Sequence, residues 1–201
     1  MVATPNHTHF ELAKDALLAN KHVVVDKPFT AKFSEATELI ELAESRNKIL
    51  TVHQNRRWDS DFLTVQKVLN SNLLGRLVEI EIHYDRFRNT LRENTWKEEN
   101  LDGTGILYDL GSHLIDQAQT LFGLPQAITA DIRTQRTNGK IADNFELILD
   151  YAGLKVTLKG GMLVREPLPR YILLGEQGSF VKFRVNFSPN FTWLNAPVDC
   201  I

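Results

Sequence analysis

The sequence has little cysteine, no long apolar run and no marked excess of charge. Its 201 residues include one cysteine, Cys200, which excludes an intramolecular disulfide and a zinc site built from several cysteines. No apolar run approaches the roughly 18–20 residues that a membrane-spanning helix needs. The first residues, MVATPNHTHF, lack the basic and apolar regions of a secretory signal. We therefore expect a cytoplasmic protein without a membrane partner.

The charge balance argues against nucleic acid as a partner. The formal net charge is −2 at pH 7, whereas nucleic-acid-binding domains usually carry a basic patch and a high pI. The composition is otherwise that of an ordinary globular protein, with 43% hydrophobic and 24% charged residues. A chain of this length can form one large domain or parts of two.

Helix and strand patterns alternate over the first fifty residues. Thr8 and Glu11 have the spacing of a capping box, which predicts the start of a helix. A short strand over 22–25, a helix over 34–47 and a second strand over 49–53 follow. This order predicts parallel strand pairing through a right-handed crossover. The continuous apolar character of both strands favours a sheet that is covered on both faces.

The first of these strands ends in Asp26-Lys27-Pro28, without a residue of the kind that makes surface turns. Pro28 forces Lys27 toward an extended conformation and so fixes the exit from the strand. One interpretation is a solvated strand end. The other is that Lys27 is held at the carboxyl edge of a parallel sheet, where α/β enzymes keep their active sites.

The pattern changes after residue 55. A helix is predicted from Ser60 to Leu73, and the segment RLVEIEIHYDRF then alternates between apolar and polar residues, which is typical of a sheet with one packed face. A polar loop over 88–104 and a helix over 106–122 follow. The further strand candidates are 126–135, 144–151, 153–162 and 170–184, with Gly153 and the segment GEQG marking turns. A run of strands after a helix predicts an antiparallel sheet in an α+β unit.

The segment GTGILYDLGSHLIDQ places Asp109 and His113 four residues apart, and Asp116 three further on, along one face of a helix. A carboxylate beside an imidazole can orient the ring and raise its pKa, so the two residues are a candidate acid–base pair. A partial metal site is a weaker alternative, because no third ligand stands at a suitable spacing. The structural alternative is a helix-capping aspartate and a hydrogen-bonded core histidine.

Three stretches, in this order, carry a resemblance to a known family: ATPNHTHFELAKDALLANKHVVVDKPF, QNRRWDSDF and GTGILYDLGSHLIDQ. With them the chain resembles, from residue 2 to about residue 184, the glucose–fructose oxidoreductase/inositol dehydrogenase (Gfo/Idh/MocA) family of NAD(P)-dependent oxidoreductases. The family usually has Glu-Lys-Pro, for which the Asp-Lys-Pro of this chain is a common substitute.

The resemblance implies which residues carry the chemistry. Lys27 would lie beside the nicotinamide and the substrate carbon, His113 would accept the proton of the substrate hydroxyl, and Asp109 would orient the site. The substrate would be a secondary alcohol on a sugar or polyol such as inositol. The residues implied in cofactor binding are Thr4, Pro5, Asn6, His7, Asp26, Lys27, Pro28, Arg57, Trp58 and, with a weaker match, Trp96 next to Lys97.

The resemblance also implies an α/β plus α+β fold, in which a partial Rossmann-type parallel sheet precedes a mostly antiparallel open-sheet domain with helices on one face. Residues 1–55 would be the C-terminal part of a dinucleotide-binding Rossmann domain. Residues 56–201 would be a substrate-binding and oligomerisation α+β domain, incomplete at its C-terminus. The open sheet implies a homodimer or homotetramer.

The glycine-rich fingerprint G-x-G-x-x-G, with which relatives cradle the cofactor phosphates, has no counterpart here. The chain would then begin near the fourth strand of the nucleotide domain, so we expect weak or absent binding of NAD or NADP. Two hypotheses follow. One is an NAD(P)-dependent oxidoreductase, and the other is a non-catalytic remnant that serves as an oligomerising or binding module.

Overall fold

The computed structural model describes residues 1–166 and 168–183. The predicted strand end at residue 184 and Cys200 lie outside the described residues. The α-helices are α1 (His9–Leu18), α2 (Phe33–Ser45), α3 (Ser60–Asn70) and α4 (Ser112–Phe122). Short 3-10 turns span Asn6–Thr8, Asn55–Trp58 and Trp96–Glu98, and a π turn spans Leu107–Gly111.

The strands form two sheets. They are β1 (Val23–Asp26), β2 (Leu50–His53), β3 (Leu77–His83), β4 (Ala127–Arg133), β5 (Asn144–Tyr151), β6 (Leu154–Gly161), β7 (Tyr171–Gly175) and β8 (Gly178–Lys182). β1 and β2 pair in parallel, and the other six strands follow the order β4-β5-β6-β3-β7-β8. Among the described residues, no helix is long and apolar enough to cross a bilayer.

The parallel strand–helix–strand unit at the start of the chain is confirmed. Val23 and Val25 of β1 are buried against apolar residues of α1 and α2, among them Leu17 and Leu39. The prediction that both faces are covered is wrong for the described residues, because Val24 of β1 is 36% exposed. A continuous apolar run indicates only that both faces of a strand tolerate burial. Whether a face is covered depends on other elements of the fold, and none of the described elements fully covers Val24.

The capping box predicted for α1 is not formed. A 3-10 turn precedes the helix, so Thr8 already has helical backbone angles, with φ −101° and ψ −6°. Its hydroxyl donates a hydrogen bond to the carbonyl oxygen of Pro5 at 2.8 Å instead of capping the helix. A carboxylate does reach back at α2, where the Lys32 N–H donates to Glu35 at 3.3 Å.

The second sheet is mostly antiparallel, as predicted, with one parallel pair, β3 with β6. Its predicted strand over 170–184 is a hairpin of two strands, β7 and β8. Ile80, Ile82 and Tyr84 are buried, but Val78 is 38% exposed. The alternation fails at Val78 because the pairing of β3 with β7 shifts register between Leu77 and Glu79.

Phe145 connects this sheet to the helical segment above it. Its ring is 1% exposed and belongs to the core that α3, α4 and the sheet share. A Cβ built on Gly160, its cross-strand partner, would come within 2.5 Å of the ring, and one built on Gly111 within 3.3 Å. The two glycines therefore leave the space that lets Phe145 support the π turn.

We expect Gly160→Ala to lower the free energy of unfolding by about 1–3 kcal/mol, because the added methyl group overpacks the site of Phe145. Gly178→Ala is the matched control, since its Cβ would meet no atom closer than 3.8 Å. Urea unfolding followed by circular dichroism measures both. Equal midpoints for the two variants would contradict the packing role of Gly160.

Candidate active site

A cleft of about 210 Å³ lies between the carboxyl end of β1, the loop that follows β3 and the π turn. Three contacts hold its two sides together. The Asn6 side chain donates to the carbonyl oxygen of Gly103 at 2.7 Å, and the Tyr108 hydroxyl donates to that of Ala31 at 3.2 Å. On the surface, Lys32 and Asp102 form an ion pair at 2.7 Å.

Lys27 points into this cleft and binds Asp109. Its ammonium group donates to the backbone carbonyl of Asp109 at 2.6 Å and to the carboxylate at 3.0 Å. The Lys27 side chain is only 16% exposed, so the solvated-strand-end interpretation is wrong. The interpretation that Lys27 stands at the carboxyl edge of a parallel sheet agrees with its place at the end of β1.

The Asp109 carboxylate is held in its ionised form. Burial by itself would raise its pKa, but the charge and hydrogen bond of Lys27 outweigh burial and lower the pKa below its ordinary value. Arg86, with a guanidinium nitrogen 3.9 Å from the carboxylate, acts in the same direction. Asp109 is therefore an anion that positions the ammonium group of Lys27.

His113 is buried and is not among the residues that line the cleft, and its predicted pairing with Asp109 is not formed among the described residues. Burial, together with repulsion from Lys27 and Arg56, lowers the pKa of His113 to about 3, although Asp109 acts to raise it. The predicted rise was wrong. The carboxylate of Asp109, which lies in the π turn, binds Lys27 instead.

The surroundings of His113 are cationic and aromatic. The guanidinium of Arg170 stacks on the Tyr84 ring at 3.4 Å, and that of Arg56 lies 5.0 Å from the same ring. Tyr84 in turn lies 6.2 Å from the ring of His113. The Nδ1 atom of His113 is buried without a partner in the described part of the chain. Burial and the neighbouring positive charges therefore keep the imidazole neutral, and no carboxylate of the described residues binds it.

The cleft brings together some of the predicted cofactor residues. Thr4, Asn6, Asp26 and Trp96 line it with Lys27, and so does Lys97. Pro5, His7, Pro28, Arg57 and Trp58 are not among the lining residues. His7 packs edge-on against Trp96, with ring centroids 6.1 Å apart.

Arg57 and Trp58 have other surroundings. The Arg57 guanidinium binds both carboxylate oxygens of Asp116, at 2.6 and 2.8 Å. This contact also accounts for Asp116, which the helical spacing had grouped with Asp109 and His113. Trp58 is 76% exposed. The cofactor roles of both residues stay predictions.

Sequence reasoning missed the basic side of the cleft, which is lined by Arg86, Arg88, Arg92 and Arg136. It also missed Tyr84 and Arg170 next to His113. Alternation in β3 indicated that Tyr84 is buried, but no local pattern links Arg170 to it across 86 positions of sequence. Within the described ranges, no group of three or more His, Cys, Asp or Glu side chains could hold a metal ion.

Two family models match nearly the whole described chain. The GFO/IDH/MocA C-terminal domain matches residues 62–181, and the oxidoreductase family with an NAD-binding Rossmann fold matches residues 1–54.

Curated relatives agree with these matches. The uncharacterized oxidoreductase YdgJ of Escherichia coli (strain K12) is 50% identical, over 91% of this chain and 53% of its own length. The scyllo-inositol 2-dehydrogenase (NADP(+)) IolW of Bacillus subtilis is 40% identical, over 92% and 52%. The chain therefore spans about half the length of the curated relatives it matches.

Solved structures share the fold. An oxidoreductase from Bacillus cereus has a TM-score of 0.81 and 40% identity, and the match covers 90% of this chain and 51% of that one. An NAD-binding protein from Listeria innocua has a TM-score of 0.83 and 30% identity, with 89% and 53% covered.

The lowered pKa of His113 has a direct test in proton NMR. We expect the Cε1 proton of His113 not to titrate between pH 8 and pH 5, because the imidazole stays neutral down to about pH 3. The signal is assigned by its loss in His113→Asn.

His83 is the control within the same protein. Burial would lower its pKa, but hydrogen bonds to Asp85 at 3.1 Å and Glu81 at 2.9 Å outweigh burial and raise it. His83 should therefore lose its proton above the ordinary value of about 6.5. A midpoint between pH 6 and 7 for His113 would show that its surroundings do not exclude the charged form.

Proposed function

The chain belongs to the Gfo/Idh/MocA family of oxidoreductases, and from this we propose that it transfers hydride between NAD(P) and a secondary alcohol of a sugar or polyol, with an inositol-like ring as the preferred substrate. The observation that carries the proposal is the Lys27–Asp109 pair at the carboxyl edge of β1, which presents an oriented ammonium group to the cleft. A scyllo-inositol dehydrogenase among the relatives supports the choice of substrate class.

The residues at this edge fit the nicotinamide end of the cofactor. The side chains of Thr4, Asn6 and Asp26 line the cleft beside Lys27, and polar groups at the carboxyl ends of parallel strands suit such a ligand. Arg86, Arg88 and Arg92 across the cleft suit its phosphates. When bound, the cofactor supplies the hydride acceptor or donor.

Lys27 has the part of a hydrogen-bond donor to the reacting oxygen. Its ammonium group already donates to two oxygens of Asp109, and an ammonium group has three N–H donors, so one remains for the substrate. The negative charge that develops on the oxygen as its proton leaves strengthens this bond, so the interaction favours the transition state.

His113 has the part of the proton acceptor. Its imidazole is neutral because the pKa is lowered to about 3, so it can accept a proton but is a weak base. Transfer to such a base requires that the hydroxyl group first be made more acidic, which is the effect of the hydrogen bond from Lys27. The two residues would therefore act together, and Asp109 would fix the position of Lys27.

In a full-length form that carries a phosphate-binding segment, we expect Lys27→Ala to lower kcat/KM at least about tenfold, because it removes a hydrogen bond that strengthens in the transition state. His113→Ala should lower it on the order of 10²-fold, the usual scale for loss of a general base. Steady-state rates with scyllo-inositol and with NAD or NADP measure both changes.

Lys21→Ala, an exposed lysine before β1, is the matched control and should stay within about twofold of the wild type. Rates within twofold for Lys27→Ala or His113→Ala would refute the corresponding role. A wild-type protein without turnover on any sugar or polyol would favour the alternative of a non-catalytic binding module.

We further propose that the sheet face opposite the helices pairs two subunits. Glu146, Ile148 and Asp150 of β5 alternate with the buried residues of that strand and so lie on this outer face. It combines apolar side chains with cross-strand ion pairs such as Lys159–Glu146 at 3.5 Å. A mixed face of this kind is typical of a surface that meets a partner.

Sedimentation velocity at micromolar concentrations should show a dimer, and Ile148→Glu should raise its dissociation constant at least about tenfold by placing a charge in the interface. Ile40→Glu, at a 48% exposed position on α2, is the control and should leave the dimer intact. A monomer throughout the micromolar range would contradict the proposed interface.

A further inference from the structure

A buried ion cluster with an arginine at its centre lies beside the same cleft, apart from the Lys27–Asp109 pair. Arg136, in the connection between β4 and β5, is 6% exposed. Its Nε donates to Asp143 at 2.8 Å. Its two terminal nitrogens donate to the two carboxylate oxygens of Glu98, at 3.1 and 2.9 Å. A forked contact of this type fixes both distance and orientation.

Backbone hydrogen bonds as well as charge fix the part of the cluster that lies in the β4–β5 hairpin, Arg136 and Asp143. The Asp143 carboxylate, 1% exposed, accepts hydrogen bonds from the backbone N–H groups of Gln135 at 2.7 Å and Arg136 at 3.0 Å. Asp143 therefore fixes the guanidinium of Arg136 on the side of the β4–β5 connection. The two bonds from Arg136 to Glu98 then attach the loop to it.

Glu98 connects the cluster to the residues that line the cleft. It belongs to the same 3-10 turn as Trp96 and Lys97, and all three residues line the cleft. The turn is short, so a fixed Glu98 leaves little freedom to its two neighbours. A second contact of Arg136, to the carbonyl oxygen of Thr90 at 3.3 Å, holds the start of the loop as well.

A buried ion cluster is weak evidence for stability, because removing the charges from water costs about as much as their attraction returns. Its better-attested effect is to select one arrangement, since every alternative leaves a charge buried without a partner. Here the selected arrangement is the position of the loop that forms one wall of the cleft.

We propose that Arg136 is a positioning residue that, through Glu98, holds Trp96 and Lys97 against the cleft so that they can contact the dinucleotide cofactor. The contact with the cofactor rests on the proposed function; the clamp itself rests on the geometry alone. No substrate or cofactor atom is required to touch Arg136.

The test removes the bonds between Arg136 and Glu98 and leaves the contacts of Arg136 with Asp143 and Thr90 in place. Glu98→Ala abolishes the fork but keeps Arg136 paired with Asp143, so the protein should still fold. The matched control is Glu99→Ala. Glu99 is the next residue in the same loop and pairs with Lys140 of the same hairpin at 3.2 Å, but this pair is exposed, at 55% and 63% of the two side chains.

Hydrogen exchange of the backbone amides measures the result without any need for activity. Glu98 also accepts a hydrogen bond from the Arg92 N–H at 3.4 Å, so the Arg92 amide is left out of the comparison. We expect the other amides in residues 88–104 to exchange at least about tenfold faster in Glu98→Ala, whereas those of β5 do not change and Glu99→Ala stays within about twofold of the wild type. Glu98→Gln, which keeps an acceptor oxygen but loses the charge, should fall between. Equal exchange in Glu98→Ala and Glu99→Ala would overturn the clamp.

Kinetics test the link to the cofactor. In Glu98→Ala the KM for the nicotinamide cofactor should rise at least about fivefold with kcat within about threefold, because Lys27 and His113 are untouched. A fall of kcat of at least about fivefold in Glu98→Ala, with the KM for the cofactor unchanged, would overturn the positioning role. A wild-type protein without turnover would refute the proposed function, and the exchange comparison would still decide whether the clamp exists.

Discussion

The candidate site depends on one contact, the bond between the Lys27 ammonium group and Asp109, which joins residues 82 positions apart in sequence. Lys27 comes from the end of a parallel strand, and Asp109 from a π turn on the helical side of a second sheet. The contact exists only because both parts of the chain present a charged group to the same cleft. The charge and hydrogen bond of Lys27 lower the pKa of Asp109 although burial acts to raise it.

Two buried groups of charges beside the cleft are built differently. Around Arg136 the main donors and acceptors meet partners, which fixes a single arrangement of the loop. Around His113, Arg170 pairs with Asp61 at 3.1 Å and stacks on Tyr84, and the Nδ1 atom of the histidine has no hydrogen-bond partner among the described residues. The first group therefore holds position, whereas the second disfavours any further positive charge.

The π turn links the packing of the sheet to the chemistry of the cleft. Phe145, held between two glycines, supports this turn from below. Asp109 lies in this turn, and its carboxylate binds Lys27.

The sequence by itself determined the elements, the parallel and antiparallel parts of the fold and the place of Lys27 at a strand end. Hydrophobic periodicity is local, so β5 was predicted with the bounds that the structure has. The structure departs from the sequence prediction where contacts with neighbouring segments set the conformation. The cases are the exposed face of Val24, the register shift at Val78 and the 3-10 turn that takes Thr8 out of its capping position. Only the tertiary structure decided that Asp109 binds Lys27 and that Arg170 lies beside Tyr84 and His113, near enough to act on the pKa of the histidine. Electrostatic effects depend on distance in space, and no spacing along the chain records which charges the fold brings together.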